Sequence, residues 1–209
     1  MSNYDLQPVI DYNADRFLKF VELETNKPGN EFNRYELING FIYMMSAPKK
    51  IHQILSRFIF RAFDNYFRDK LCEAYYAPID VFLFDNKLFA LLELVKSECK
   101  NVFEPDILVL CDETKFHDDG IYGAPDLVIE IVSESSVQMD YRMKLYAYST
   151  FGVKEYWVVN PIKNRVTVFD MSNDDLPIYE YTFKDIVKSI LFDGLYVDFS
   201  QFAPIVDER

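Results

Sequence analysis

The sequence predicts a mixed α/β protein, a β-sheet flanked by helices and preceded by an N-terminal helix and a β-hairpin. Three observations carry that expectation. The pair Asn39-Gly40 stands between two apolar runs, "YELI" and "FIYMM". Two long stretches, from Ile51 to about Lys70 and over 137–153, repeat apolar residues at helical spacing. Around the second of them, "PDILVL", "DLVIEIV", "KEYWVVN" and "RVTVFDM" are short apolar runs rich in β-branched and aromatic residues, the pattern of buried strands.

Taken in order, "DRFLKFVELE" (15–24) sets Phe17, Phe20, Val21 and Leu23 near helical spacing and predicts a short amphipathic helix, which "NKPGNEFN" breaks. Asn-Gly is suited to a two-residue primed turn, so 35–45 predicts a hairpin. From Ile51 to Lys70, residues Leu55, Phe58, Ile59, Ala62, Phe63 and Tyr66 share one face, with His52 in the first turn. "AYYAPIDVFLF" (74–84) and "PDILVL" (105–110) predict strands. The stretch between them, "DNKLFALLELVKSECKNVFE", suits a further strand pair or a helix equally. Over 137–153, Tyr141, Leu145 and Tyr148 recur at i, i+4 and i+7, and Gly152 is placed to end the helix. "KEYWVVN" (154–160), closed by Pro161, and "RVTVFDM" (165–171) predict strands, and "KSILFDGLYVDFSQF" adds one or two short elements. With no repeat and no low-complexity or Gly/Ser linker, the expectation is a single domain over 1–209.

At 209 residues, half of them hydrophobic, the chain is long enough to bury a sizeable core. A leader with a basic segment and an apolar run is not seen in "MSNYDLQPVIDYNADRF", and no stretch approaches the length of a membrane span. A soluble, cytoplasmic protein without a membrane partner is expected. The cysteines Cys72, Cys99 and Cys111 are odd in number and lack CxxC spacing, which argues against a disulfide framework and a zinc site and leaves three small core residues. A formal net charge of -12 repels nucleic acid, so a polyanionic partner needs a local basic patch or bridging metal ions.

"GAPDLVIEIVSESS" (123–136) sets two acids into a buried strand. Side chains alternate, so Asp126, Val128, Glu130 and Val132 share one face. At about 3.3 Å per residue, Asp126 and Glu130 lie roughly 13 Å apart and cannot ligate one metal ion. A carboxylate on a neighbouring strand comes far closer, since strands run about 4.8 Å apart, and Asp106 at the head of "PDILVL" is the natural partner for Glu130. Two such acids repel unless a divalent cation neutralises them, and oxygen-only ligation selects Mg²⁺ or Mn²⁺. On the following helix, Asp140 and Lys144 stand at i, i+4. They read either as a solvated ion pair or as a source of an ammonium lowered toward the carboxylates. Asp126, next to Pro125, reads equally as a turn residue. Glu130 is flanked by "LVI" and "IV", and a buried, unpartnered Glu is rare, which favours function there.

The acids of "PDILVL" and "IEIV" with a lysine on the next helix resemble the PD-(D/E)xK nuclease superfamily. More closely, the chain resembles the Uma family of restriction-endonuclease-like proteins, abundant in cyanobacteria. The stretches that carry this are "YELINGFIYMM", "IHQIL", "EPDILVL", "GAPDLVIEIVSESS", "DYRMKLYAYSTFGVKEYWVVNP" and "LFDGLYVDF", in family order from about Tyr35 to Phe199.

The resemblance implies a restriction-endonuclease-like core, a divalent metal and hydrolysis of DNA phosphodiesters. It implies Asp106 and Glu130 as metal ligands, Lys144 as the catalytic lysine and Glu36 as an additional acid facing the same site. The motif lysine two residues after Glu130 is replaced by Val132, so the ammonium comes from the helix. His52 matches a family position and reads as a cap or core residue or as an accessory to the site; Asp126 and Asp140 are further accessory candidates, and His117 is assigned to the surface. Double-strand cutting needs two sites, which implies a homodimer. A DNA-cleaving enzyme is expected to gather a basic groove, for which Lys49, Lys50, Arg57, Arg61, Arg142 and Lys154 are available. The alternatives are a nuclease fold kept as a binding or regulatory module, and a hydrolase of a small phosphodiester.

Overall fold

The computed structural model describes residues 11–85, 92–134 and 136–202. Helix α1 (Ala14–Thr25) opens on Asn13, whose side chain accepts from the Arg16 N–H and so caps the helix. The hairpin forms as expected from β1 (Tyr35–Ile38) and β2 (Phe41–Met44). Asn39 and Gly40 take φ of 51° and 82°, the left-handed pair that a primed turn requires. Helix α2 (Lys50–Phe67) buries Leu55, Ile59, Phe63 and Phe67 on one stripe.

Strands β3 (Glu73–Tyr76), β4 (Val81–Phe82), β5 (Val102–Phe103) and β6 (Ile107–Leu110) follow, with helix α3 (Leu92–Glu98) between β4 and β5. Of the ambiguous stretch, therefore, the described part holds both a helix and a strand, while 86–91 lie outside the described residues. After β7 (Phe116–His117), β8 (Gly120–Tyr122) and β9 (Leu127–Ile131) comes a π-helical turn over Met139–Lys144 that runs into α4 (Leu145–Phe151). Gly152, at φ 97°, ends it as expected. The chain closes with β10 (Glu155–Asn160), β11 (Arg165–Asp170), β12 (Ile178–Thr182), β13 (Ile186–Lys188) and β14 (Tyr196–Asp198).

The strands form two mixed six-stranded sheets rather than one, in the orders β2-β1-β5-β4-β8-β7 and β12-β11-β10-β9-β6-β3, with β13-β14 as a separate ribbon. Period-two alternation sorts their side chains into layers. In the first sheet, Leu37, Phe82 and Val102 pack with Ala14 and Phe17 of α1, while Ile38, Val81 and Phe103 turn the other way. In the second, Ile107, Val109, Leu127, Ile129, Trp157 and Val159 pack against α2 and the C-terminal ribbon. Their alternates Leu108, Leu110, Val128, Tyr156 and Val158 join Ile38, Val81 and Phe103 in a central layer, which Tyr148 of α4 also enters. The order of layers is helix, sheet, sheet, helix.

Several expectations need correction. The run 74–84 is not one strand: it breaks at Pro78, with β3 in the second sheet and β4 in the first. Leu23 is 59% exposed and belongs to no core, and β12 had no periodic signal. Cys72 and Cys111 are joined in a disulfide, and only Cys99 is a buried free thiol. In the antiparallel β3–β6 ladder Glu73 opposes Leu110, so the residues just outside that pair, Cys72 and Cys111, are also opposed. Register joined what their separation of 39 residues concealed.

Candidate active site

The site lies where the central layer reaches solvent. Strands β6 and β9 are antiparallel, with Ile107 opposite Ile129 and Leu108 opposite Val128. One step further along the same register sets Asp106 beside Glu130, both turned to the central face. Glu36, on β1 of the other sheet, points to that face because it has the parity of Ile38. Lys144 arrives from the π-helical turn above.

Lys144 Nζ lies 2.9 Å from Glu36 Oε1 and 2.9 Å from Glu130 Oε1, and 3.8 Å from Asp140 Oδ1. All four side chains are at least 95% buried. The Asp140–Lys144 pair is therefore an interior one, not a solvated face. Tyr148, one turn beyond Lys144, donates its hydroxyl to the same Glu130 Oε1 at 2.8 Å. The Glu104 backbone N–H donates to Glu36 Oε1 at 3.0 Å. Asp106 Oδ2 accepts from the Ile131 N–H at 2.7 Å and is hydrogen-bonded to His52 Nε2 at 3.0 Å. His52 is thus neither a helix cap nor a core residue: α2 carries it to Asp106, and its Nδ1 is buried without a partner among the described residues.

One ammonium stands among three buried carboxyls. Burial pushes the Glu130 carboxyl well above its ordinary pKa, and the charges of Asp106, Asp140 and Glu36 add to that against the pull of Lys144. Burial likewise raises Glu36 and Asp140. Desolvation works against the Lys144 ammonium, yet Glu130, Glu36 and Asp140 outweigh it and hold its pKa well above the usual lysine value. Lysine keeps its proton, and the surplus of carboxyls calls for further positive charge, as protons or as a cation.

The residues present fit a hard divalent cation. Their donors are carboxylate oxygens, and Asp106 and Glu130 each spend one named oxygen on protein partners. No group of three or more His, Cys, Asp or Glu is drawn together as a ready-made cage among the described residues. Two carboxylates completed by water and phosphate oxygens are the usual donor set for Mg²⁺.

A cleft of about 320 Å³ opens over this floor. Glu36, Asp106, Glu130, Asp140, Lys144 and His52 all line it. Asp126 does not: it accepts from the Cys111 N–H at 2.8 Å and from Lys154 Nζ at 2.7 Å, tying β6 to the start of β10. Of the six basic residues available for a groove, only Lys49 lines the cleft. Val132, where the motif lysine would stand, is a buried core residue hydrogen-bonded to Val159. His117 is half-buried, its ring edge-on to Tyr122, and not a free surface residue. The sequence reading missed Tyr148 as a site residue and placed it on the apolar stripe, although its i+4 spacing from Lys144 marks the same face of the helix. Arg34, paired with Glu104 at the cleft wall, carried no local signal.

The layered fold is that of a nuclease-like α/β protein. The chain is similar to a crystal structure described as a "putative nuclease belonging to DUF820" from Anabaena variabilis ATCC 29413, with a TM-score of 0.65 and 17% identity over 91% of this chain and 98% of that one, a likeness of fold. The Uma2 family model, described as "Putative restriction endonuclease", matches residues 18–199, and the chain belongs to that family. No curated protein matches it. No helix among the described residues is long and apolar enough to cross a membrane.

Proposed function

We propose that this protein is a Mg²⁺- or Mn²⁺-dependent nuclease that hydrolyses DNA phosphodiesters, with Asp106 and Glu130 holding the metal. The observation that carries the reading is the approach of Lys144 Nζ to Glu130 and Glu36, at 2.9 Å each, beside the opposed Asp106. A cation bound there supplies an acidified water and neutralises charge on the phosphoryl oxygens.

The protein's own groups do the rest. Ile131 N–H and His52 hold Asp106 Oδ2, and the second oxygen of that carboxylate would be the one to hold a cation. Lys144 and Tyr148 hold Glu130 Oε1 in the same way. Glu36 is a positioning residue: it fixes the ammonium of Lys144, which orients the attacking water and offsets negative charge as the phosphorus becomes five-coordinate. The buried floor strengthens each of these interactions relative to water.

The test combines activity with binding. Nicking of a supercoiled plasmid should require Mg²⁺ or Mn²⁺ and disappear in Glu130→Ala and Lys144→Ala. Calorimetric titration with Mn²⁺ should show one site in the wild type and a large loss of affinity in Asp106→Ala. Equal Mn²⁺ binding by the two proteins would remove Asp106 from the metal site, and cutting by the Glu130→Ala variant would remove the mechanism.

A further inference from the structure

The cleft above the acid floor has two properties that bear on which nucleic acid enters it. Two of its three cations are engaged with acids that are largely buried, Arg34 with Glu104 and Lys144 with Glu36 and Glu130, while the exposed Lys49 meets the exposed Glu134 at 3.2 Å. Five acids line it against those three cations. Its remaining wall is largely apolar, with Tyr43, Met44, Met45, Pro48, Met139 and Ile162.

Duplex DNA is held chiefly through phosphates on both strands, by lysines and arginines free to reach them. The engaged cations and acidic surplus of this cleft oppose that mode. An unpaired nucleotide is held differently, with its base face against aromatic or apolar side chains and its backbone at the reacting centre. A cleft of about 320 Å³ falls at the small end of the ligand-pocket range, the scale of a nucleotide-sized group. Met44 and Ile162, 67% and 53% exposed, supply apolar surface at the mouth that no protein group covers fully.

We propose that the substrate is a phosphodiester flanked by an unpaired base, seated with the base on the Met44, Met45 and Ile162 wall and the phosphate over Asp106 and Glu130. The inference rests on the nuclease reading and narrows its substrate. A single strand presents one scissile phosphate to one site, so a lone subunit suffices for this chemistry.

The experiment uses the full chain with Mn²⁺ and three substrates of matched sequence: a single-stranded oligonucleotide, its blunt duplex and a linear dinucleotide. The expected result is cleavage of the single strand at least tenfold faster than the duplex. Cleavage of the dinucleotide as well would show that one base step fills the site, and cleavage of the single strand alone would show that a longer strand is read; either supports the proposal. In Met44→Ser and Ile162→Ser, whose exposed side chains leave the core intact, KM for the single strand should rise about tenfold while kcat and melting temperature hold. Duplex cleavage equal to or faster than single-strand cleavage overturns this inference and leaves the nuclease reading in place. An unchanged KM in both variants overturns the assigned wall. No cleavage of any of the three overturns the inference together with the nuclease reading.

Discussion

Replacing Lys144 by Met tests the electrostatics of the floor directly. Methionine keeps most of the side-chain volume, so little cavity results, but the carboxyls of Glu36, Glu130 and Asp140 lose the ammonium they share at 2.9, 2.9 and 3.8 Å. Removing one partner of a buried ion pair costs about 3–5 kcal/mol, because the charge left behind is neither solvated nor paired. In a protein of this size that lowers the melting temperature by roughly 6–20 °C. The sign with pH follows from the raised carboxyl pKa values. A carboxyl whose folded pKa is raised contributes its stability fully below the ordinary value of 4.5 and loses it as pH rises through the folded value. Without the ammonium these carboxyls take up protons more readily still, so the deficit of the variant should be large at pH 8 and shrink toward pH 5. Urea unfolding followed by the buried Trp157 at both pH values measures it. A loss below about 1 kcal/mol, or one of the same size at both pH values, would refute a shared buried ammonium. The double variant Lys144→Met with Glu130→Gln should cost less than the sum of its parts, since the glutamine leaves no orphaned charge.

Other expectations follow from the same packing. Tyr148→Phe removes one of the donors on Glu130 Oε1 and should cost about 1.5–3 kcal/mol in urea unfolding, with weaker Mn²⁺ binding by calorimetry; an unchanged protein would mean that Lys144 alone positions the carboxyl. Asp80 is raised to about 6 by burial, with Asp119 and Glu36 adding to it. Its contribution is complete below about pH 4 and lost as pH rises through 6, so Asp80→Asn should stabilise the protein by about 1–2 kcal/mol at pH 8 and not at pH 4. Cys72→Ser opens the link across β3 and β6 and should cost about 2–4 kcal/mol under oxidising conditions and nothing under reducing ones, read as melting temperature with and without dithiothreitol.

Much of the fold was legible because its signals are local. The Asn39-Gly40 turn, the stripe of α2 and the αL stop at Gly152 each depend on residues within a few positions of one another. The run 74–84 misled because its continuous apolar character hides the passage at Pro78 from one sheet to the other. Strand β12 was missed because its residues are mostly exposed, and an exposed edge strand needs no apolar alternation.

The candidate site divides along the same line. Parity and rise along one strand were enough to separate Asp126 from Glu130, and the structure does place Asp126 away from the cleft, bound to Lys154. Strand spacing was enough to nominate Asp106 as the partner of Glu130. Its antiparallel register, the hydrogen bond from His52, the pairing of Cys72 with Cys111 and the sharing of Lys144 between Glu36 and Glu130 were not readable from spacing. Apart from the strand register and the 14-residue link from Lys144 to Glu130, each joins residues 39 to 108 positions apart. The sequence by itself determined which residues could carry chemistry and which face of each element they occupy, because side-chain direction repeats with the period of the helix or strand. Only the tertiary structure decided which of them meet and how many charges share one buried volume, because register between distant strands is set by packing and desolvation over the whole core.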